Sequence, residues 1–257
     1  MANRAIIIGA GRGSRLMPTT AEAPKCFAEV AGRRILDWTV DALRDAGIQQ
    51  IAFIGGYRIE AVQSASPEFE FRHNVDWANN NILASLFCAE DLMDEPFVCC
   101  YSDCLFTANL VSGILETAGD ISISVDVGWR ERYAGRTEHP ADDAEKITAG
   151  DGLVTRIERE IPETEAYGEF TGVARFGSDG AEVLRREFHR VRELHAGGPF
   201  RGARLFEKAY LIHLLQEMVE RGVELRHSDT TGEYIEIDTQ QDFEYARGCW
   251  TPGGIAR

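Results

Sequence analysis

Apolar runs alternate with segments of helical spacing along the first half of the chain. The run RAIIIG at 4–9 predicts a short buried strand, because it is apolar and ends at a glycine. In 33–47 the apolar residues recur on one helical face, and Gly47 ends the pattern. By the same criteria the other predicted elements of this half are strands at 48–56, 68–74, 95–103 and 120–127 and helices at 58–65, 82–93 and 106–119.

Strands that alternate with helices of crossover length predict a mostly parallel sheet with helices on both faces. The expected fold class is therefore α/β, with a Rossmann-like, doubly wound sheet. In such sheets ligands bind at the carboxyl ends of the strands. A loop that follows 4–9 and the aspartate that ends 95–103 are both expected at that edge.

The pattern changes in the second half, which predicts a small α+β lobe. Its elements are a hairpin at 144–160 about Asp151-Gly152, strands at 168–176, 223–229 and 233–238, helices at 179–194 and 203–221, and a short helix from Thr239. No repeat or linker is visible. A single domain over 1–257 is expected, with a core at 1–128, the lobe at 129–232, and a returning strand and helix at 233–250.

Charge and composition exclude several classes of protein. The formal net charge is −15, which argues against the basic surface that nucleic acid requires. No apolar run is long enough to span a membrane, and the start MANRAIII lacks the features of a signal peptide. The six cysteines show neither CxxC pairs nor zinc spacing, which favours reduced thiols. These features predict a cytoplasmic protein that binds neither nucleic acid nor membrane.

The segment GAGRGSRLMPTTAEAPKCF at 9–27 carries the candidate chemistry. Its glycines do not match the dinucleotide fingerprint, and no Walker A lysine follows them. Glycines after a strand let backbone N–H groups approach phosphate oxygens closely, and an arginine and a lysine can bind the same anion. The segment therefore predicts a phosphate site, and an ordinary strand-to-helix turn is the alternative.

The same segment resembles the signature of nucleotidylyltransferases that couple nucleoside triphosphates to sugar phosphates and small phosphorylated alcohols. The matching residues are Ala10, Gly11, Gly13, Arg15, Leu16, Pro18, Pro24 and Lys25. VDWANNNILASLF at 75–87 and EYIEIDTQQDFEYA at 233–246 resemble the cytidylyltransferases that act on phosphocholine and 2-aminoethylphosphonate. The segments 128–147 and 168–176 look most like the phosphonate-directed branch. The resemblance extends to about residue 247 and is sparse at 178–232.

The resemblance implies a role for each matching position. It places the nucleotide-binding core at 1–128 and the acceptor-binding lobe at 129–232. It implies catalytic roles for Lys25 and Arg15, and Mg²⁺ ligation by Asp103 and Asp238. The residues implied in nucleotide binding are Gly9, Ala10, Gly11, Arg12, Gly13, Asn79, Asn80, Asn81 and Ser85. Helix capping is the alternative role for Asp103, Asp238 and Asn81, and Asn81 is the favoured cap of 82–87.

The acceptor site is less visible in the sequence. A polar loop offers cations for a phosphonate or phosphate, and Glu169 could face an ammonium group; a solvated loop and a strand-edge acid are the alternatives. The loop residues are Arg130, Arg132, Tyr133, Arg136 and His139. The candidates for cation–π contact with an ammonium group are Trp129, Tyr133, Tyr167 and Phe170.

The resemblance thus implies a Mg²⁺-dependent cytidylyltransferase that joins CMP from CTP to a small phosphonate or a phosphocholine-like phosphomonoester. A sugar-1-phosphate nucleotidylyltransferase and a catalytically dead nucleotide-binding regulatory subunit are the alternatives. The expected partners are CTP and the acceptor. The sequence leaves the oligomeric state open, and a homodimer is one of the states that it allows.

Overall fold

The structure is a computed structural model that describes residues 2–256. Its strands are β1 Arg4–Gly9, β2 Glu29–Val30, β3 Arg33–Arg34, β4 Gln50–Gly55, β5 Glu70–His73, β6 Phe97–Tyr101, β7 Cys104–Phe106, β8 Ile121–Asp126, β9 Lys146–Gly150, β10 Leu153–Ile157, β11 Gly168–Phe176, β12 Arg226–Thr230, β13 Tyr234–Glu236, β14 Trp250–Thr251 and β15 Gly254–Ile255.

The helices lie between these strands. They are α1 Ile35–Asp45, α2 Ile59–Ala65, α3 Ile82–Leu86, α4 Ala108–Glu116, α5 Trp129–Tyr133, α6 Ser178–His195, α7 Leu211–Glu220 and α8 Gln240–Cys249. Short 3₁₀ helices occupy Ser14–Leu16, Lys25–Phe27, Phe87–Leu92, Ala141–Asp143 and Phe206–Lys208.

One nine-stranded sheet organises the molecule, in the order β5-β4-β1-β6-β11-β8-β12-β10-β9. The strands β5, β4, β1 and β6 pair in parallel, as do β8 and β12. Only β10 and β11 run against the others, and β11 lies between β6 and β8. The prediction of an α/β, Rossmann-like, doubly wound fold on a mostly parallel sheet is confirmed.

Helices cover the sheet in two groups. One group contains α1 and α4, which contact each other, and the other contains α3, α6 and α7. The strands β1 and β6 are central, and their interior side chains are fully buried within one large apolar core. Within residues 2–256, no helix combines the length and the apolar character that a membrane crossing requires.

The predicted hairpin is present as β9 and β10, which pair in antiparallel fashion. Its turn, Asp151-Gly152, has positive φ angles at both residues (53° and 74°). A two-residue hairpin turn with positive φ at both positions matches the right-handed twist of its strands, which explains why Asp-Gly is a reliable signal.

Two predicted helices are shorter in the structure. The segment 82–93 is α3 followed by a 3₁₀ helix, with a non-helical Ala89 between turns. The segment 203–221 has a short 3₁₀ helix at Phe206–Lys208 and is α-helical only from Leu211, where the backbone N–H of Tyr210 donates to Nδ1 of His213. Before that point, Phe200 and Ala203 form an isolated bridge, which holds the chain outside a helix.

A short strand, β7, was not predicted, because its three residues directly precede a helical pattern. It pairs with β13 from the far end of the chain. Behind this pair lies a second apolar cluster that joins the start, middle and end of the sequence. Its fully buried members include Leu16, Ile35, Leu105, Ile235 and Ile237. The returning segment is therefore fixed against the loop that follows β1.

The helix α8 is anchored by a buried carboxylate. Asp242 is fully buried and accepts from the backbone N–H groups of Asp238 and Thr239 at 3.0 and 2.8 Å. It also pairs with Arg136, whose Nε donates at 2.8 Å. Burial alone raises the pKa of Asp242, but His139 and Arg136 outweigh burial and lower it well below its usual range.

We predict that Asp242→Asn lowers the free energy of unfolding by about 3 kcal/mol at neutral pH, because Arg136 stays buried without its charge partner. Urea denaturation measures this difference. The difference should shrink below about pH 4, since a carboxylate with a lowered pKa stabilises the fold only while it is ionised.

The matched control is Glu244→Gln on the same helix, where an exposed carboxylate faces Arg247 at 3.3 Å. That change should alter stability by less than about 0.5 kcal/mol. Equal effects of the two substitutions would contradict the anchoring role of Asp242.

Candidate active site

A cleft of about 300 Å³ opens where β1 and β6 end. This is the edge of the sheet at which the sequence predicted that the glycine loop and Asp103 meet. Its lining includes most of the predicted site: Gly9, Ala10, Gly11, Gly13, Arg15, Lys25, Asn80, Asn81, Ser85, Asp103 and Asp238. Arg12 and Asn79 do not line it.

The glycine loop leaves the cleft wall without side chains. A Cβ at Gly9 would lie 2.4 Å from the ring of Phe53, so the loop can begin only with a glycine. Among residues 2–256, no backbone carbonyl accepts a hydrogen bond from the N–H groups of Gly11, Arg12 or Gly13. Free N–H groups in a glycine loop after a strand form a concave site for anions.

Lys25 is the central cation of the cleft. Its ammonium donates to Oδ2 of Asp103 at 2.8 Å and also to Oδ1 of Asp238. The side chain is only 9% exposed. Burial alone lowers the pKa of Lys25, but the two carboxylates outweigh burial and raise it above its usual value. Lys25 is therefore a permanent cation.

The loop and Lys25 are matched in shape. Gly13 has a φ of +66°, and a Cβ there would lie 2.8 Å from Cβ and Cδ of Lys25. The aliphatic part of Lys25 thus occupies the space that any other residue at 13 would fill. This close approach explains why the motif has a glycine at position 13 together with a lysine at position 25.

Asp238 comes from the returning segment and meets two cations. Arg15 donates to its Oδ2 at 2.5 Å, and Lys25 contacts its other oxygen. Burial alone raises the pKa of Asp238, but Lys25 and Arg15 outweigh burial and lower it. Asp238 is therefore an ionised carboxylate at the cleft wall.

Neither aspartate caps a helix through its side chain. Thr107 caps α4, accepting from Leu110 at 3.3 Å, and Thr239 caps α8, accepting from Asp242 at 3.2 Å. Asp103 lies instead between β6 and β7, where its carboxylate reaches the cleft. The capping alternative is thus removed for both aspartates.

The asparagine segment forms a hydrogen-bonded floor. Asn74, which is buried, exchanges two hydrogen bonds with Asn80 and donates to Ser85 at 2.9 Å. Asn81 caps α3 by accepting from Ile82, as predicted. Asn79 lies outside the cleft and donates to Asp76 at 2.7 Å. Asn80 and Ser85 are thereby held at the cleft wall.

The predicted acceptor residues are placed elsewhere. In the described part of the chain none of Arg130, Arg132, Tyr133, Arg136, His139 and Glu169 lines the cleft. Arg132 is buried between Asp126 and Glu169, and Tyr133 donates to Glu169 at 2.6 Å. The carboxylate expected to face an ammonium group is thus already paired.

The remaining members of this set are paired as well. Arg136 and His139 contact Asp242, and Arg130 donates to the carbonyl of Ala166 at 2.9 Å. The aromatic candidates Trp129, Tyr167 and Phe170 also lie outside the cleft lining that the described residues form.

Sequence reasoning missed several residues of the cleft wall: Trp77, Tyr101, Ser102, Glu145, Arg159, Tyr210 and Glu236. Glu236 had a signal, since residues two apart in a strand share a face and Glu236 precedes Asp238 by two. Glu145 and Arg159 flank the hairpin, and only the folded hairpin brings them together.

Two groups of side chains could hold a divalent cation. Asp103 and Asp238 both bond the same ammonium, so their oxygens converge on one point. His139, Glu236 and Asp238 also place ligand atoms within 4.8 Å of one another. Magnesium prefers oxygen ligands, and usually takes one or two carboxylates plus phosphates, which fits the aspartate pair.

A family comparison agrees with this geometry. The model of the family described as MobA-like NTP transferase domain matches residues 5–160. That match contains the glycine loop, Lys25, Asp103 and the hairpin. The fold and the cleft therefore define a nucleotidyltransferase, and the chain belongs to the MobA-like NTP transferase domain family.

Individual relatives give more detail. A CTP:phosphoglutamine cytidylyltransferase of Campylobacter jejuni is 27% identical to this chain, and the match covers 93% of this chain and 97% of that enzyme. A 2-aminoethylphosphonate cytidylyltransferase of Lancefieldella rimae is 29% identical over a match that covers 37% of this chain and 41% of that enzyme. The solved structure of the CTP:phosphocholine cytidylyltransferase of Streptococcus pneumoniae has a TM-score of 0.72 to this chain at 19% identity, and the match covers 96% of this chain and 99% of that enzyme. The predicted family resemblance is confirmed.

We predict that Gly13→Ala lowers kcat/KM for nucleotidyl transfer by about 10²-fold, because the added Cβ displaces Lys25. The matched control is Gly32→Ala, at a φ of +74° with no heavy atom within 4 Å of the new Cβ. Both substitutions cost about 1 kcal/mol of backbone strain, and only the first should affect turnover. Similar turnover in the two variants would contradict the role of this contact.

Glu145 offers a test of the cleft's electrostatics. Burial raises its pKa to about 7, although Arg159 and Tyr101 lower part of that rise. A carboxyl group with a raised pKa favours the folded state when protonated, and this contribution is lost as the pH rises from 4.5 to about 7.

We therefore predict that Glu145→Gln gains stability relative to the wild type as the pH rises from about 5 to 8. The gain should amount to about 3 kcal/mol, since about two units of the pKa shift fall in this pH range and each corresponds to ~1.4 kcal/mol. Urea denaturation at several pH values provides the measurement. If the free energies of unfolding of the two proteins change with pH in the same way, the pKa of Glu145 is not raised in the folded state, and the prediction is wrong.

Proposed function

We propose that this enzyme is a Mg²⁺-dependent cytidylyltransferase that transfers CMP from CTP to a small phosphonate or phosphomonoester and releases pyrophosphate. The observation that carries the proposal is Lys25 beside Asp103 and Asp238, next to a glycine loop with free N–H groups. This arrangement combines an anion site with a pair of carboxylates that fits a divalent cation.

The reaction is a substitution at phosphorus and needs no redox partner. An oxygen of the acceptor's phosphonate or phosphate attacks the α-phosphorus of CTP and forms a new P–O bond. The bond from that phosphorus to the oxygen bridging to the β-phosphate breaks, and the electron pair leaves with pyrophosphate. The attacking oxygen is already anionic near neutral pH, so a strong general base is unnecessary.

The chain's residues act mainly through position and charge, as in phosphoryl transfer in general. The N–H groups of Gly11 to Gly13 hold the triphosphate, and Arg15 binds the leaving pyrophosphate. Lys25 stabilises the charge that develops at the α-phosphate. Asp103 and Asp238 would hold Mg²⁺, which when bound neutralises phosphate charge.

The choice of cytosine rests on two kinds of support. Two of the three relatives described above carry CTP in their names, and the third is named as a cytidylyltransferase. In this chain, Asn80 and Ser85 offer amide and hydroxyl groups in the same cleft that the ring of Trp77 lines. Amide groups can match both the donor and the acceptor on the edge of cytosine.

Pyrophosphate release with Mg²⁺ tests the proposal. We would combine each of the four common nucleoside triphosphates with 2-aminoethylphosphonate, phosphocholine, a hydroxyalkylphosphonate and glucose-1-phosphate. The proposal expects release with CTP and a phosphonate or phosphocholine. Release only with glucose-1-phosphate would instead establish a sugar-1-phosphate nucleotidylyltransferase, and no release with any pair would contradict the proposal.

We predict that Lys25→Ala lowers kcat by about 10²–10³-fold, the usual effect of removing one charge-stabilising donor. Lys208→Ala is the control, because Lys208 donates to the carbonyl of Ala78 outside the cleft and should leave kcat unchanged. The unfolding transition of each variant shows whether the fold is intact. Near-full turnover in a folded Lys25→Ala protein would contradict the role of Lys25.

A further inference from the structure

We infer that Glu145 and Arg159 form the acceptor site and that they select an acceptor whose ammonium group lies close to its phosphoryl group. Glu145 receives the ammonium, and Arg159 receives a phosphonate or phosphate oxygen. This inference rests on the proposed cytidylyl transfer and specifies the class of acceptor.

The folded hairpin creates this pair. Glu145 directly precedes β9, and Arg159 follows β10 by two residues, so pairing of the strands brings the two side chains together. Both line the same cleft as Lys25. The Glu145 side chain is 10% exposed and that of Arg159 is 31% exposed, which places a carboxylate and a guanidinium at the cleft surface.

The pair is loosely bonded, unlike other buried ion pairs of this protein. Arg159 and Glu145 are 3.4 Å apart, and Tyr101 donates to Glu145 at 3.3 Å. The buried pairs Arg132–Asp126 and Arg136–Asp242, by contrast, have Nε–O distances of 3.0 and 2.8 Å. Hydrogen bonds between charged groups are normally shorter than 3.0 Å. Glu145 therefore keeps capacity for a further donor.

Arg159 also keeps a free donor. Its Nε is buried and has no hydrogen-bond partner among the described residues. Its guanidinium lies 4.2 Å from the ring centre of Tyr210, which holds the planar group in one orientation. The side chain is 31% exposed at the cleft, so the terminal N–H groups of this fixed guanidinium are suited to bind the oxygens of a phosphonate or phosphate.

The charges of the cleft lead to the same acceptor. Lys25 and Arg15 are engaged by Asp103 and Asp238 and are assigned to the triphosphate. The other glutamate of the cleft wall, Glu236, faces His139 at 3.7 Å and groups with Asp238. Glu145 and Arg159 therefore remain as adjacent opposite charges. A ligand with one anionic and one cationic group a few bonds apart pairs with both charges, whereas a purely anionic ligand leaves the buried Glu145 unpaired.

The alternative ammonium partner, Glu169, is already occupied. Arg132 and Tyr133 both donate to its carboxylate, and the side chain is fully buried outside the cleft. Of these two glutamates, only Glu145 lines the cleft, where an incoming ammonium group can reach it.

The test compares 2-aminoethylphosphonate with ethylphosphonate, which lacks the amine, in CTP-dependent pyrophosphate release. Wild-type enzyme should favour the aminated acceptor by about tenfold or more in kcat/KM, the value of a hydrogen bond between charged groups. Glu145→Gln should reduce that preference about tenfold, mainly through KM. Glu145→Asp, which keeps the carboxylate, should retain part of it.

Two further variants distinguish a loss of acceptor binding from a loss of protein stability. Glu165→Gln removes an exposed carboxylate that faces Arg156 at 3.7 Å near the same hairpin, and it should preserve the preference. Arg159→Gln should raise KM for both phosphonates and leave their ratio unchanged. A raised KM with an unchanged ratio in a folded Arg159→Gln protein is not expected if the pair only stabilises the fold.

The pH dependence gives an independent readout. Burial and the charge of Glu169 raise the pKa of Glu145 to about 7, although Arg159 and Tyr101 lower part of that rise. KM for 2-aminoethylphosphonate should therefore fall more than KM for ethylphosphonate as Glu145 ionises, and Glu145→Gln should remove this difference.

The outcomes distinguish the two proposals. Equal use of both phosphonates by the wild type, or an unchanged preference in Glu145→Gln, would overturn the acceptor site while cytidylyl transfer stands. Release with CTP and a hydroxyalkylphosphonate but with no aminated acceptor would do the same. No CTP-dependent release with any acceptor would overturn the proposed function and this inference together.

Discussion

The ammonium of Lys25 between Asp103 and Asp238 is the interaction on which the site depends. The partners lie 78 and 213 positions further along the chain, so three distant segments meet at one buried charge. A buried ammonium is costly unless it is paired, and two carboxylates side by side repel each other. Each group thus requires the others, and together they fix where the chain's start, middle and end must lie.

Apolar packing brings these segments to the same place. The cluster around Leu16, Leu105 and Ile237 joins the loop after β1, the short strand β7 and the returning strand. Asp238 directly follows Ile237, and Asp242 fixes its backbone from within α8. The positions of Lys25, Asp103 and Asp238 are therefore set by side chains that do not line the cleft.

Local chemistry was predictable from the sequence, and long-range pairing was less so. The glycine loop, the hairpin turn at Asp151-Gly152 and the Asn81 cap follow from short-range rules, and each is present in the structure. The strand β7 escaped prediction because three residues beside a helical pattern carry no periodicity of their own. The role of Glu145 in the cleft wall depends on hairpin pairing, and the buried pairing of Arg132 depends on β11, so neither could be deduced from spacing.

The most direct test of the central claim is a crystal structure with Mn²⁺ and a CTP analogue that cannot be cleaved, using anomalous scattering to locate the metal. The account predicts a metal peak bonded to Asp103 and Asp238, with the triphosphate against Gly11 to Gly13 and Lys25 beside the α-phosphate. A metal bound at His139 and Glu236 without Asp103, or a triphosphate away from the glycine loop, would contradict it.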